Sequence, residues 1–550
     1  MNQYRDFSVD ENRFSYAEGA QFLTTLHANG QHYIPIVDSA IYVPNPENAS
    51  DAYPTFNRGN ESNSFMMNED GSLYVGDVWP GYTVFPDWIG AVLNGTGAFD
   101  WWTNEMTLWH QNLSFDGIWL DMSEVSSFCY GSCGSQNITM NPVHPPFSLP
   151  GEPGDIQYGY PEGFNLTNAT EASSVISASA SQASANSVTQ PPAATTSTIY
   201  ERTTPSPSAR NIEYPPYAIN NVQGALGVHA VLPNATHHGG TVEYDFHNLF
   251  GHQIINATYH ALLNVFQGKR PFIIGRSTFA GSGKWAGHWG GDNTSLWAYM
   301  FFSIPQALSF SLFGIPMFGV DTCGFNGNTD EELCSRWMQL SAFFPFYRNH
   351  NVLSAIPQEP YRWAAVAEAS KVAMNIRYTL LPYIYTTFYL AHSTGSTVMR
   401  ALAWEFPNEP MLANTDTQFL LGSSLMVVPV LAQGANTTAG VFPGVASGEV
   451  WYDWYTQSSV TASPGQNVTI DAPLGHIPVY IRGGNVLPTQ QPGMTTRECR
   501  SNPWGVIAAA SLEGTASGQL YIDDGESLTP NATLWVEVCV PAPKSYELSD

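Results

Sequence analysis

Short apolar runs alternate with amphipathic helical segments between residues 17 and 342. The first helical segment, residues 17–29, places Phe22, Leu23 and Leu26 on one face ahead of Gly30. The same order of helix and apolar run recurs in the runs His32–Asp38, Phe115–Asp121, Arg270–Arg276 and Gly314–Asp321 and in the helical segments 253–267 and 330–342. Buried strands that alternate with helices indicate a parallel sheet, and this many units with large loops favour an α/β fold of the (β/α)8 TIM-barrel type over an open sheet.

The pattern changes twice along the chain. Residues 168–210 are rich in Ser, Ala, Thr and Pro and nearly lack large apolar side chains, which predicts a disordered insertion in the barrel. After about residue 392, short apolar runs separated by Gly, Pro and Asn predict an all-β sandwich. We therefore expect a barrel domain over residues 1–392, a proximal C-terminal β-sandwich over 393–490 and a distal β-domain over 491–550.

The charge balance restricts the partners of the protein. The chain carries 19 Lys and Arg against 46 Asp and Glu, a formal charge of -27. Such a surface repels phosphates, which excludes nucleic acids and anionic membranes as expected partners and favours a neutral substrate. No stretch approaches the roughly 18 apolar residues that a membrane-spanning helix needs.

Asparagine and cysteine usage predicts a secreted glycoprotein, with an Asn-rich cytosolic chain as the alternative. Sequons of the form Asn-x-Ser/Thr occur at Asn48, Asn60, Asn94, Asn112, Asn137, Asn165, Asn168, Asn234, Asn256, Asn436, Asn467 and Asn531. The close pairs Cys129 with Cys133 and Cys323 with Cys334 are expected to form disulfides, and whether Cys499 pairs with Cys539 is left open. Zinc binding is the alternative to a disulfide for such pairs. No further His or Cys lies near them at zinc-finger spacing, so no metal is expected. Residues 1–20 lack the apolar core of a signal peptide, so we expect the native chain to begin upstream of Met1.

Polar side chains stand where the predicted strands end. Asp38, Asp121, Arg276 and Asp321 each close an apolar run, and Asp292 and His350 lie in comparable segments. Any one Asp at such a place is most simply a helix cap, but a series of carboxylates with an Arg and a His is harder to explain in that way. The active site of a TIM barrel lies at the carboxyl ends of its strands. With Trp79, Trp119, Trp285 and Trp289 interleaved, the pattern indicates a site for a polyol.

Four motifs resemble a known family. GIWLDMSE (Gly117–Glu124), GRSTFAGSGKWAGHWGGDN (Gly275–Asn293), GIPMFGVDTCGF and FYRNHN are similar to the signatures of the retaining α-glucosidases of glycoside hydrolase family 31. The residues of these motifs are most similar to those of the secreted fungal α-glucosidases, and the resemblance extends from residue 1 to about residue 535. The long signatures are highly specific.

The resemblance implies roles for individual residues. Asp121 resembles the catalytic nucleophile and Asp292 the general acid/base. Positions that bind the sugar in the −1 subsite correspond to Arg276, Trp289 and His350, and those that line it to Trp79, Ile36, Trp119, Met122, Asp321 and Phe325. Glu124 is implied to support the nucleophile, with a helix cap as the alternative. We expect Asp121 to be ionised beside Arg276 and Asp292 to be partly buried near Trp289 and protonated.

The resemblance implies an exo-α-glucosidase that needs neither metal nor organic cofactor and acts on maltose, malto-oligosaccharides and starch-derived glucans. An α-xylosidase or an α-glucosyltransferase of the same fold is one alternative, and a non-catalytic chain that binds carbohydrate or a subunit is another. Members of the family begin upstream with the first two barrel strands and continue further at the other end. We therefore expect an incomplete barrel, a truncated distal domain, and an N-terminal polypeptide that supplies the missing strands. Asn293 also lies in a sequon, but a glycan beside Asp292 would obstruct the pocket, so Asn293 is expected to be unmodified.

Overall fold

The structure, a computed structural model, describes residues 1–129, 131–132, 212, 215, 226–227 and 230–542. These residues form two compact units, one ending at Ala286 and the other beginning at Gly287. The insertion predicted over residues 168–210 and the predicted disulfide partner Cys133 lie outside the described residues.

The first unit combines helices with short strands. Its helices are α1 Tyr16–Ala28, α2 Pro54–Glu61, α3 Trp88–Asn94, α4 Ala98–Asn112, α5 Glu243–Phe246 and α6 Phe250–Phe266. Its strands are β1 Ile36–Val37, β2 Ile41–Tyr42, β3 Gly76–Val78, β4 Gly81–Val84, β5 Ile118–Leu120 and β6 Ile273–Gly275. Single 3-10 turns occupy Ala49–Asp51, His247–Leu249 and Ser282–Lys284.

Strands β1, β5 and β6 form the parallel sheet that the apolar runs predict. Strand β5 lies between the other two and pairs with both in parallel. Strands β1 and β6 begin late in their apolar runs, because each follows a proline, which cannot donate a ladder hydrogen bond. Pro35 directly precedes β1, and Pro271 lies two residues before β6.

Helices α4 and α6 belong to the core of this unit. The Trp102 indole on α4 donates to the Thr258 hydroxyl on α6 at 2.9 Å, so the buried polar atom has a partner. Helix α1 behaves differently from its sequence pattern. Leu23 is 1% exposed, but Phe22, which the pattern places on the same face, is 58% exposed. The helix therefore buries a narrower stripe than predicted.

A buried ionic network joins helix α3 to the segment before α5. His237 lies between the carboxylates of Asp87 at 2.7 Å and Glu243 at 3.0 Å. His238 adds a second contact to Asp87, and His247 adds one to Glu243. Burial alone would lower the pKa of His237, but the hydrogen bonds and charges of the two acids outweigh it and raise that pKa to about 9.

Replacing His237 tests this network. A histidine whose pKa is raised stabilises the folded state most below pH 6.5, and this contribution disappears as the pH rises through about 9. His237→Gln leaves two buried carboxylates without their cation, so we expect the free energy of unfolding to fall by about 3 kcal/mol at pH 6. Thermal melts of both proteins across pH 6–10 measure this loss of stability, and the difference between the two proteins should shrink above pH 9.

The exposed His392 on a later helix is the matched control, because His392→Gln removes an imidazole from the surface. An equal loss in both variants, or a loss in His237→Gln that is constant with pH, would contradict the assignment.

The second unit contains helices α7 Trp297–Leu312, α8 Glu331–Ser341, α9 Ala364–Thr379, α10 Leu381–Thr394, α11 Leu402–Glu405 and α12 Thr496–Cys499. Its strands up to residue 400 are β7 Gly287–Trp289, β8 Phe318–Gly319, β9 Asp321–Thr322, β10 Arg348–Asn349 and β11 Met399–Arg400. Later strands are β12 Phe419–Leu421, β13 Leu425–Val427, β14 Thr437–Val441, β15 Trp451–Asp453, β16 Asn467–Asp471, β17 Val479–Arg482, β18 Asn485–Gln490, β19 Trp504–Ala509, β20 Ala516–Ile522 and β21 Leu534–Val540. Single 3-10 turns lie at Pro360–Arg362, Pro410–Asn414 and Val445–Ser447.

Strand pairing in this unit changes from parallel to mainly antiparallel along the chain. Strands β7 and β8 pair in parallel, as do β9 and β10. The later strands form sheets in the orders β11-β12-β13-β17-β15, β14-β16 and β19-β18-β20-β21. Their pairs are antiparallel except for β18 with β20. The all-β pattern predicted after residue 392 is therefore present, after helix α10 ends at Thr394.

Arg336 links helix α8 to loops of the later strands. This buried guanidinium donates to the backbone carbonyls of Ala435, Ala472, Pro473 and His476 at 2.7–3.2 Å. Burial lowers the pKa of Arg336. One charged side chain thus gives hydrogen bonds to four backbone carbonyls next to α8, of which that of Pro473 also accepts from the His476 N–H.

The cysteines follow the prediction only in part. Cys323 and Cys334 form the expected disulfide. Cys499 and Cys539, whose pairing the sequence leaves open, are free: Cys499 is buried at the end of α12, and Cys539 is exposed on β21. Among the described residues, no helix is both long and apolar enough to cross a membrane.

Candidate active site

Strand register places three of the candidate side chains next to one another in the first unit. Val37 pairs with Leu120, and Leu120 pairs with Gly275. Asp38, Asp121 and Arg276 are the next residues along the three strands. The backbone N–H of Asp121 donates to the Val37 carbonyl at 3.0 Å and extends this pairing. Asp38, Asp121 and Arg276 therefore lie side by side at the carboxyl edge of this sheet, and their roles stay predictions.

Arg276 is shared between two carboxylates. Its Nε lies 3.1 Å from Asp121 Oδ1 and 3.1 Å from Glu124 Oε1. The N–H points along the line to Glu124 and makes its hydrogen bond there. Among the residues that the structure describes, Asp121 Oδ1 accepts no hydrogen bond. The nearby cation therefore balances the charge of Asp121 without occupying the lone pairs of this oxygen.

The backbone after Asp121 is held in an unusual conformation. Met122 has φ +49, a left-handed value that favours glycine, and its carbonyl accepts from the Ser39 hydroxyl at 2.7 Å. The Met122 sulfur lies 3.3 Å from the Arg276 guanidinium. Glu124 does not cap a helix, since no helix begins between it and residue 129 of the described chain. Its carboxylate binds Arg276 instead, which corrects the helix-cap alternative.

A pair of buried acids lies behind Asp121. The Asp38 backbone N–H donates to Asp6 Oδ1 at 3.0 Å, and both carboxyl groups are buried. Burial raises the pKa of Asp38 to about 7, the charges of Asp121 and Glu124 add to this effect, and Arg276 opposes it. Burial and the neighbouring Asp38 also raise the pKa of Asp6 well above its ordinary value. At least one of these acids is therefore neutral in the folded protein near pH 6.

Three further candidates of the first unit are aromatic or apolar. Ile36 and Trp119 are register partners on β1 and β5. Trp79 is 37% exposed, and its ring meets the exposed Phe128 edge-on with centroids 4.8 Å apart. An exposed indole held in place by a second ring offers a flat apolar surface for the C–H face of a sugar.

The remaining candidates, Trp289, Asp292, Asp321, Phe325 and His350, lie in the second unit. Asp321 is fully buried, and its Oδ1 accepts from Arg348 at 2.6 Å. The same guanidinium lies 5.1 Å from the centre of the Trp289 ring. Arg348 and Asp321 are partners in the parallel pairing of β10 with β9, so strand register again brings a cation to a carboxylate.

Asp292 differs from the prediction in its environment. It is exposed, although partial burial was expected, whereas Gly291 and Asn293 on either side are buried. The Asn293 side chain is turned into the protein and forms hydrogen bonds there. The buried contacts of this loop are thus made by the two neighbours of Asp292.

His350 stacks on Phe325, with ring centroids 5.3 Å apart. Burial, together with the charge of Arg348, lowers the pKa of His350 to about 4. The imidazole is therefore neutral above pH 5 and can exchange hydrogen bonds with a hydroxyl-bearing ligand without adding charge.

Sequence reasoning missed Arg348 and Asp6 as parts of these clusters. Arg348 lies in the quoted motif FYRNHN, two residues before His350, and an alternating strand would have placed both on one face. Asp6 carried no such signal, because it precedes the first predicted element. Among the described residues, no group of three or more His, Cys, Asp or Glu is arranged to hold a metal ion.

Asp38→Asn tests the buried acid pair. Because the pKa of Asp38 is raised in the folded protein, the folded state loses stability as the pH rises from about 4 to about 7. Asparagine cannot ionise, so we expect this variant to be more stable than the unaltered protein above pH 7, by about 2–4 kcal/mol. The difference should vanish near pH 4 in thermal melts, and Asp416→Asn, at an exposed position, should show no such trend. A gain that does not depend on pH would contradict the assignment.

Comparison with known proteins shows which family the chain resembles. Residues 1–387 match the TIM-barrel domain of glycosyl hydrolases family 31, and residues 395–487 match the C-terminal domain of that family. These matches confirm the predicted barrel followed by a β-domain.

Individual relatives agree with the domain matches. An alpha-glucosidase of Aspergillus oryzae and one of Aspergillus niger are each 65% identical to this chain over 98% of its length. The matched part is 54% of either relative, so the chain spans about half of their length. Among solved structures, the ER glucosidase II heterodimeric complex is similar with a TM-score of 0.74 and 25% identity, over 98% of this chain and 47% of that one. The chain belongs to glycosyl hydrolase family 31.

Proposed function

We propose that the protein is a retaining exo-α-glucosidase that releases terminal, non-reducing α-1,4-linked glucose from maltose, malto-oligosaccharides and starch-derived glucans. The observation that carries the proposal is the ion pair of Asp121 with Arg276 at the carboxyl edge of the parallel sheet. The alpha-glucosidase names of relatives at 65% identity support the same substrate class.

In the first step Asp121 attacks the anomeric carbon and forms a β-glucosyl ester. The arrangement suits this role, because Arg276 compensates the carboxylate charge while Asp121 Oδ1 accepts no hydrogen bond from the described residues. Glu124 takes the hydrogen bond of Arg276 Nε instead and holds the guanidinium in place. Its role is therefore to position Arg276.

Asp292 acts as general acid in this step and as general base in the next. It protonates the departing glycosidic oxygen and then removes a proton from the incoming water, which restores the α configuration. Retaining enzymes hold the two carboxyl groups about 5–5.5 Å apart. A neutral His350 and the pair of Asp321 with Arg348 supply hydrogen-bonding groups for the sugar hydroxyls, and Trp79 supplies a stacking surface.

We further infer that the protein acts outside the cell. The many sequons and the disulfide of Cys323 with Cys334 support this inference. Asn293 is the exception among the sequons, because its side-chain nitrogen is buried and donates to the Asp321 carbonyl.

Rescue by azide distinguishes the two proposed roles. Asp292→Ala should lower maltose turnover by about 10²–10⁴-fold, and azide should restore turnover of an activated aryl α-glucoside with α-glucosyl azide as the product. Asp121→Ala removes the nucleophile, so azide should attack the substrate directly and give the β azide. Product configuration is read by NMR.

Asp416→Asn is the control for general effects of altering a carboxylate, and it should keep normal turnover. Azide products with the two configurations exchanged, or no effect of either substitution on maltose turnover, would refute the assignment. Faster turnover of an aryl α-xyloside than of the aryl α-glucoside would refute the substrate class while leaving the mechanism in place.

A further inference from the structure

The loop that carries Asp292 is joined to the loop that carries Asp321 and Phe325. The Asn293 side chain donates from Nδ2 to the Asp321 carbonyl at 3.0 Å. Its Oδ1 accepts from the Phe325 backbone N–H at 2.9 Å. The Asn293 backbone carbonyl accepts from the Asn326 N–H at 2.9 Å. We call these four residues the Asn293 clasp.

The clasp lies in tightly packed backbone. Gly324 has φ +92, and a Cβ at that position would come within 2.4 Å of the Ser295 backbone. Cys323 also has a positive φ of 74 and is tied to helix α8 through Cys334. The backbone of residues 321–326 therefore has little conformational freedom. Asn293 forms its hydrogen bonds with this restricted segment.

The position requires an amide side chain. Asn293 is 8% exposed, and its two polar ends are used in opposite senses, one as donor and one as acceptor. Aspartate has the same shape but no donor, so it would place a carboxylate against the Asp321 carbonyl. Alanine would leave both backbone groups without partners, at a cost of about 1–3 kcal/mol for each buried group.

From this geometry we propose that Asn293 is a positioning residue for the reaction, and that it fixes the adjacent acid/base Asp292 relative to Asp321 and Phe325. The proposal rests on the proposed function, since it assigns Asp292 the proton transfers of an α-glucosidase. Asp292 is exposed and is one residue from the clasp, so its orientation follows that of the Asn293 backbone.

Two substrates with different needs for an acid test the proposal. Maltose requires protonation of its leaving oxygen, whereas α-glucosyl fluoride releases an ion that requires much less help. We expect Asn293→Asp and Asn293→Ala to lower kcat/KM for maltose about 100-fold, and that for α-glucosyl fluoride less than about 5-fold. The alkaline limb of the maltose pH profile should shift in both variants, because the environment of the acid changes.

Asp416→Asn is the control, because Asp416 is exposed and lies outside the clasp. This variant should keep both activities within about 2-fold. Equal losses on both substrates would show a purely structural role, and unchanged maltose turnover in Asn293→Ala would show that the clasp is dispensable; either result overturns the proposal. A glycan on Asn293, detected by mass spectrometry of the peptide, would also overturn it.

These outcomes are separate from a failure of the proposed function. If the unaltered protein hydrolyses neither maltose nor α-glucosyl fluoride, the function fails before any variant is compared. Melting temperatures of the folded variants identify those that lose activity by unfolding.

Discussion

Parallel strand pairing is the constraint on which the cluster of candidate residues in the first unit depends. In a parallel sheet, residues in the same register leave their strands at the same edge, so three residues far apart in sequence become neighbours. Asp38, Asp121 and Arg276 follow the paired positions Val37, Leu120 and Gly275. A shift of one residue in either pairing would direct the side chain to the opposite face and separate the acid from its cation.

Charge is not balanced in this cluster. Asp38, Asp121 and Glu124 surround a single guanidinium, and the cluster would be strongly anionic if every acid were ionised. The raised pKa of Asp38 reduces this imbalance, because a neutral Asp38 leaves one negative charge fewer around Arg276. The second unit uses a simpler arrangement, in which the buried Asp321 is paired with Arg348.

The sequence predicts the parts of the fold that follow from periodicity and from strand ends. The helix at residues 253–267 and the run Phe115–Asp121 are found as α6 and β5, because their apolar patterns reflect real burial. Side-chain environments were harder to predict. Phe22 is exposed, Asp292 is exposed and Cys499 is unpaired, since each outcome depends on which distant segments pack nearby. The hydrogen bond between Glu124 and Arg276 likewise could not be predicted, since a motif does not reveal in which direction a loop carboxylate points.

Arg336 and the disulfide lie on the same turn of one helix. Cys334 is bonded to the loop that bears Phe325, and two residues later Arg336 holds the carbonyls of Ala435 and Ala472. The β-domain loops are therefore linked to the short segment from Cys323 to Phe325 through a guanidinium, half a helical turn and one covalent bond. A change of length in the loops at Ala435 or Ala472 would act on the position of that segment as well as on the loops themselves.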